Sequence, residues 1–270
     1  MRKCIQPHIM CGIGDVAKYV LIPGDPGRVA KIASFFDESR KVADYRGFVT
    51  YTGSVDGIGV SACSTGIGCP SAAIVFEELA RIGAENFIRV GTSGALQQYV
   101  EMGDLVIAAA AVRAEKTSRN YAPTEFPAVA DFNVTAALLQ AAQKSKRRIH
   151  FGLALTSDSF YGDIENLKRW NMHNVLCVEM ECSVIFTLAM LKKLRAGAIL
   201  AVDGNPLIGA GKGEFEPGER TGELDDRVQD AIKEEIRIAI EAIKLIEKNS
   251  KTFSQANQEN RVMRDPAHTG

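Results

Sequence analysis

Two arginines and three carboxylates sit where this sequence is otherwise apolar, and they are the residues best placed to do chemistry. In NFIRVGTSGALQ, residues 86–97, Arg89 interrupts an apolar run that opens into Gly91, Thr92, Ser93 and Gly94. An unpaired charge in such a run is costly, so its guanidinium must meet a carboxylate of the fold or an anion from outside. In YVLIPGDPGRVAKIASFF, residues 19–36, an apolar run ends in a Gly/Pro turn, and Arg28 stands at its far side before a helix-spaced pattern of Val29, Ile32, Ala33 and Phe36. A glycine turn leading into a helix N-terminus brings backbone N–H groups and partial positive charge to an anion. Taken alone, Arg28 reads equally well as a solvated residue of a tight connection. Together, two cations and two donor-rich turns at strand ends favour an oxyanion such as phosphate, since ligands of open α/β sheets bind there.

The carboxylates extend this reading. In VLCVEMECSVIF, residues 175–186, Glu179 and Glu181 are two apart, so in a strand they share a face while Met180 points away. A buried carboxylate suits the vicinal hydroxyls of a sugar, accepting two hydrogen bonds while charged. The other reading is that one of them pairs with Arg89 or Arg28; Glu179 fits that as well as the first, and Glu181 fits the ligand role. In GAILAVDGNP, residues 197–206, a strand runs into Asp203. Desolvation there can raise an aspartate's pKa enough to let it donate a proton near neutral pH, although strand-end aspartates also cap turns.

The elements that must position these residues alternate. Strand-like runs recur at 19–22, 59–63, 86–90, 104–111, 152–156, 175–178 and 198–202, with helical patterns at 71–82, 134–142, 183–192 and 223–248. This alternation predicts an α/β fold, one domain over residues 1–248 with a mixed central β-sheet flanked by helices. In the last helix Leu224, Val228, Ile232, Ile236, Ile240, Ile243 and Ile246 form a packing face with no chemistry attached. Residues 249–270 lose the periodicity and are expected to be a polar, flexible C-terminal tail. The glycine-rich stretch 208–219 fits a lid over a site or a packed surface turn.

A formal net charge of −1 gives no global field for nucleic acid or anionic membrane, so any anion site must be local. Six cysteines without a CxxC pair or zinc spacing, and no secretory h-region, predict free thiols, no metal and a cytoplasmic location. No apolar run approaches the ~18 residues of a membrane span.

The ordered motifs GDPGR (24–28), YRGF (45–48), STGIGCPSA (64–72), IRVGTSGAL (88–96), SDSFY (157–161), VEMEC (178–182) and VDGNP (202–206) resemble the nucleoside phosphorylase family, the group that holds bacterial-type purine nucleoside phosphorylases and uridine phosphorylases. The resemblance spans about residues 8 to 246, and AAVRAEK, FPAVADF and ILAVDGNP look most like the purine enzymes of apicomplexan parasites. It implies phosphorolysis of a ribonucleoside to free base and ribose 1-phosphate, with inorganic phosphate as co-substrate and no cofactor. It also implies self-association, with a dimer as the minimal active unit within a hexamer. Phosphate would be held by Gly24, Arg28, Arg89 and Thr92, with Arg46 reaching in from a neighbouring subunit. His8 would cross the same interface to the ribose 5′-hydroxyl. Glu181 and Met180 would hold the 2′- and 3′-hydroxyls. Phe160, Val178 and Glu179 would line the base, Tyr161 less directly, and Asp203 would protonate a leaving purine at N7.

Uridine phosphorylases usually carry a Gln-x-Arg pair shortly after SDxFY to read the uracil edge. Here Ile164 and Asn166 stand at the nearest positions, with Lys168 or Arg169 as substitutes if the loop is shifted. The expected substrate is therefore a purine nucleoside such as inosine or guanosine, with uridine as the alternative. A nucleosidase has no use for three arginines around phosphate, and a non-catalytic nucleoside-binding protein has no use for the acid.

Overall fold

The computed structural model describes residues 4–162, 164–209 and 225–262, with side chains of the final helix as far as Ser250. In chain order the elements are β1 (Tyr19–Ile22), α1 (Pro26–Ala33), β2 (Glu38–Tyr45), β3 (Phe48–Val55), β4 (Ile58–Cys63), α2 (Cys69–Arg81), β5 (Asn86–Ala95), β6 (Leu105–Arg113), β7 (Ala128–Val129), α3 (Phe132–Ala142), β8 (Ile149–Thr156), α4 (Ile164–Met172), β9 (Cys177–Glu179), α5 (Cys182–Lys192), β10 (Arg195–Gly204) and α6 (Asp226–Val262). The sheet is mixed, as expected. Strand β10 pairs with both β5 and β6, so β6, β8, β9, β5 and β10 close on themselves, and from β5 the sheet continues through β1, β4 and β3 to an edge at β2.

Two layers of helix cover it. Val20 and Ile22 point to one face with Cys63, Phe87 and the apolar sides of α2 and α5. Tyr19 and Leu21 point to the other, with Val29 and Ile32 of α1 and the apolar sides of α3 and α6. Strand β1 is thus buried on both faces, which is why it reads as a continuous apolar run. Helix α5 is buried along most of its length, from Cys182 to Ala189.

The strands that matter for the site run parallel. β1 lies between β4 and β5, parallel to both, and β5 is parallel to β10. Their C-terminal ends therefore open on one side, where the turns 23–28 and 64–68 gather. Gly91, Thr92, Ser93 and Gly94, expected as a turn, instead continue β5 in register with β10, past Asp203, because backbone pairing on that side extends beyond the end of β1.

Four differences from the sequence-based expectation have physical causes. The hairpin β2–β3 was not expected, because ESRKVADY is polar and mostly exposed along an edge strand. Its two-residue turn places Arg46 (φ 56°) and Gly47 (φ 83°) both in the left-handed region, the geometry that matches hairpin twist. Helix α4 buries no residue fully, so its apolar signal is weak. The two-residue β7 is too short to register. Helix α6 runs on to Val262, past the expected change at 248; residues 263–270, like the 210–219 part of the glycine-rich stretch and residues 223–224, lie outside the described residues.

Candidate active site

The centre of the site is Arg89, on β5 between β1 and β10. Its side chain is buried and forks between two carboxylates: Nε donates to Glu179 Oε2 at 2.9 Å, and Nη2 pairs with Glu181 Oε2. Burial alone would lower the pKa of Arg89, but Glu181 and Glu179 together hold it above the ordinary value. Its third nitrogen, Nη1, is buried and has no hydrogen-bond partner among the described residues. Gly91 makes this possible, because a Cβ there would stand 2.9 Å from the guanidinium carbon.

Glu179 was read either as a neighbour of the base or as a partner of Arg89 or Arg28. Its carboxylate accepts from Arg89, from Thr156 Oγ1 and from the backbone amides of Glu181 at 2.8 Å and Cys182 at 2.9 Å. Those amides open α5, whose unsatisfied N–H groups and dipole favour an anion. Glu179 therefore fixes the N-terminus of α5 and the tilt of Arg89. Glu181, at the N-cap of α5, differs: it accepts the Gly68 amide on Oε1 and Arg89 on Oε2, leaving each oxygen a further lone pair. Gly68 turns its N–H toward Glu181 with φ at 90°, a conformation suited to glycine. Burial raises the pKa of Glu181, against the pull of Arg89. The two glutamates do not share a strand face, since β9 ends at Glu179, yet both reach the same guanidinium.

Arg28 arrives from α1, whose start is set by Pro26 and by Asp25, which caps the Gly27 amide at 2.8 Å. It is buried, donates to the Val90 carbonyl at 3.3 Å, and lies 3.5 Å from Glu235 Oε1 of α6. Arg28 thus reaches β5 one residue past Arg89, and both guanidinium charges act on the buried Glu235. Thr92 follows on β5, opposite Ala201 of β10, and Asp203 is the residue at which the β5–β10 register slips. Such a bulge re-aims a side chain. Gly24 is held close to the turn after β4, with the Gly66 carbonyl 3.2 Å from where its Cβ would lie.

The other expected residues divide: His8, Arg46, Phe160 and Tyr161 have their own contacts, while Val178 and Met180 adjoin the two glutamates. His8 is tied to α2, its Nδ1 2.6 Å from Glu78 Oε1 and its amide 3.1 Å from Glu78 Oε2. Arg46 is exposed at the tip of the β2–β3 hairpin, its guanidinium carbon 5.7 Å from the centre of the Tyr45 ring. Phe160 and Tyr161 are 58% and 91% exposed and meet edge to face at 5.0 Å. Val178 pairs with Gly94 across β9 and β5 and packs with Leu96 and Leu155. Met180 contributes its carbonyl, which accepts from Cys69 Sγ at 3.3 Å.

Sequence reasoning missed four polar residues. Glu78 and Glu235 are buried glutamates on the apolar faces of α2 and α6. Glu115 is fully buried, accepting from Ser118 and from Ser183 Oγ at 2.9 Å. Arg113 gathers the carbonyls of Ala122, Pro123 and Phe126, holding the loop after β6. Among the described residues no three His, Cys, Asp or Glu side chains form a group able to hold a metal, and no helix is long and apolar enough to cross a membrane.

The phosphorylase superfamily matches residues 18–244. The guanosine phosphorylase of Halorubrum lacusprofundi is 44% identical over 239 residues, covering 88% of this chain and 98% of the relative. The uridine phosphorylase of Thermococcus kodakarensis is 47% identical over 218 residues, covering 74% and 78%. The solved structure of purine nucleoside phosphorylase from Toxoplasma gondii in complex with immucillin-H superposes with a TM-score of 0.83 at 29% identity, covering 90% of this chain and 97% of that one. A cradle of buried arginines and glutamates at the open ends of parallel strands, on a fold shared with these proteins, places the chain in the phosphorylase superfamily, the family of the nucleoside phosphorylases just named.

Proposed function

We propose that this nucleoside phosphorylase acts on purine nucleosides, taking inosine or guanosine and phosphate to the free base and ribose 1-phosphate. The observation that carries the phosphate half is Arg89 Nη1. It is a buried donor without a hydrogen-bond partner among the described residues, on a guanidinium clamped by two carboxylates, one residue before the Val90 carbonyl that Arg28 reaches. Leaving such a group unmatched is costly, and an incoming phosphate oxygen would satisfy it. Gly24, in the turn after β1, and Thr92, on β5, would supply further donors. Arg46 would come from a second copy of the chain; its exposed position on a hairpin tip supports that role. His8 would do the same, with Nδ1 held by Glu78 so that Nε2 faces outward.

Glu181 would take the ribose 2′- and 3′-hydroxyls on its remaining lone pairs, with the Met180 backbone beside it. The ring would then be fixed with its anomeric carbon toward phosphate. As the glycosidic bond breaks, positive charge develops on the sugar; the phosphate dianion stabilises it and then bonds to the anomeric carbon. Most of the rate enhancement in such a site comes from positioning and preorganised charge. Phe160 and Val178 would border the base, and Asp203 would deliver the proton to purine N7.

The preference for purine rests on α4. At the positions where a uracil-reading Gln-x-Arg pair is expected stand Ile164 and Asn166. The two cations that could replace it are engaged, Lys168 with Glu165 at 2.7 Å and Arg169 over the Trp170 ring. The similar proteins divide between guanosine and uridine phosphorylases, so their names do not choose the base. The test is kcat/KM for inosine, guanosine and uridine at saturating phosphate. A purine value above that of uridine by about tenfold or more, roughly 1.4 kcal/mol of discrimination, supports the assignment. A uridine value above both purines overturns it while leaving the cradle intact.

A further inference from the structure

We propose that Glu235 of α6 belongs to the phosphate cradle as an internal anion that competes with phosphate for Arg28. The inference rests on reading the cradle as a phosphate site. Glu235 is fully buried, and Arg28 is the basic group in ion-pair contact with it, at 3.5 Å. That is too long for a charge-assisted hydrogen bond, and neither Glu235 oxygen accepts a well-formed hydrogen bond from the described residues. The pair is therefore held by charge rather than by directed bonds. Stability does not account for such a residue, because a buried ion pair is commonly replaced by apolar side chains without loss. The positions four residues either side, Ala231 and Ala239, are both buried and apolar.

A phosphate dianion on Arg28 would place further negative charge on the guanidinium that Glu235 already faces. One cation cannot satisfy both anions in a low-dielectric site, and a proton on Glu235 removes the conflict. Phosphate and ionised Glu235 are then antagonists, and by reciprocity phosphate favours the protonated acid as much as the protonated acid favours phosphate. The groups acting on Glu235 are Arg28 of α1, Arg89 of β5, and the Ala201 amide and Asp203 of β10. Burial pushes the pKa of Glu235 up to about 8; Arg28, the Ala201 amide and Arg89 pull against it, and Asp203 adds to the rise. The competition therefore switches on as pH rises through that value.

The experiment measures the KM for phosphate from pH 6.5 to 9.5, using the better of inosine and uridine at saturation, for the full chain and for Glu235→Gln. The wild-type KM is expected to rise by about tenfold more than that of the variant across this range, with the two values converging at the acid end. The readout is the difference between the two pH profiles of the phosphate KM, which a merely structural role would not produce. Identical pH profiles would overturn the proposal, as would a variant that loses kcat and both KM values alike at every pH. Phosphate's own titration is common to both proteins and cancels. Calorimetry of phosphate binding to wild type at pH 8.5, in two buffers of different ionisation enthalpy, tests the same linkage without a substitution. Net proton uptake is expected, and none contradicts it. Cleavage that ignores phosphate altogether would overturn the phosphate reading itself, an outcome distinct from a phosphate KM that Glu235 does not influence.

Discussion

Asp203→Asn is expected to lower kcat for inosine by about 10²–10⁴-fold, the range that general-acid catalysis supplies, while the KM for phosphate stays within about twofold. Asparagine keeps the size of the side chain at the β5–β10 register slip, so the strand end should be undisturbed. What it lacks is a proton to give. A purine leaves poorly as an anion and readily once N7 is protonated. The same variant should therefore be largely spared with an N7-methylated purine nucleoside, whose base is already cationic. Loss on inosine with retention on the methylated substrate separates a proton donor from a structural residue. A variant that turns inosine over within about tenfold of wild type would remove Asp203 from the chemistry.

The second large effect is expected at Arg89. Arg89→Met removes the cation from between two buried carboxylates, and breaking a buried pair in this way costs about 3–5 kcal/mol because the partners are left uncompensated. The two glutamates are not equally exposed to that loss. Glu179 keeps Thr156 and the two amides at the start of α5, whereas Glu181 keeps the Gly68 amide. Burial already raises the pKa of Glu181 against the pull of Arg89, so without that cation it should rise further. A carboxyl whose folded pKa lies above its unfolded value stabilises the fold fully at low pH and loses that contribution as pH rises through the folded pKa. The variant should therefore be less stable at neutral than at acid pH relative to wild type, and Glu181→Gln should recover part of the deficit in the Arg89→Met background. Urea unfolding of the single and double variants reads both effects. A destabilisation under about 1 kcal/mol would show that the pair is less buried or less coupled than its geometry indicates. Phosphate-dependent turnover should fall by more than about 10³-fold in the single variant, since cradle and ribose anchor are both disturbed.

Much of this arrangement was legible in the sequence, for identifiable reasons. A charge inside an apolar run, as at Arg89 and Glu181, has few explanations, and a Gly/Pro turn after an apolar run marks a strand end. Strands β1, β4, β5 and β10 and helices α2, α3 and α5 emerged from the same patterning, because each buries a continuous or periodic apolar surface. The hairpin β2–β3 did not, since its first strand is polar, although Arg46-Gly47 between two runs was a usable turn signal. Glu235 escaped because it adjoins the half-buried Glu234 in a run of helix charges. Its spacing gave it away, four residues from Ala231 and from Ala239 on the packed face. Glu78 hides in the same way between Val75 and Leu79 on α2. The pairing of Glu179 with Arg89 was legible, but its second task was not, because the amides of α5 that it caps belong to a helix whose start only the fold determines.

The central claim is that the arginines at the strand ends hold phosphate as a reactant. The direct measurement is release of free base from inosine by the full chain, with inorganic phosphate present and rigorously removed, and with ribose 1-phosphate quantified alongside. Release that requires phosphate and yields one ribose 1-phosphate per base is the predicted result. Release at the same rate without phosphate, yielding free ribose, would contradict it and make the cradle a structural ion-pair cluster in a hydrolase.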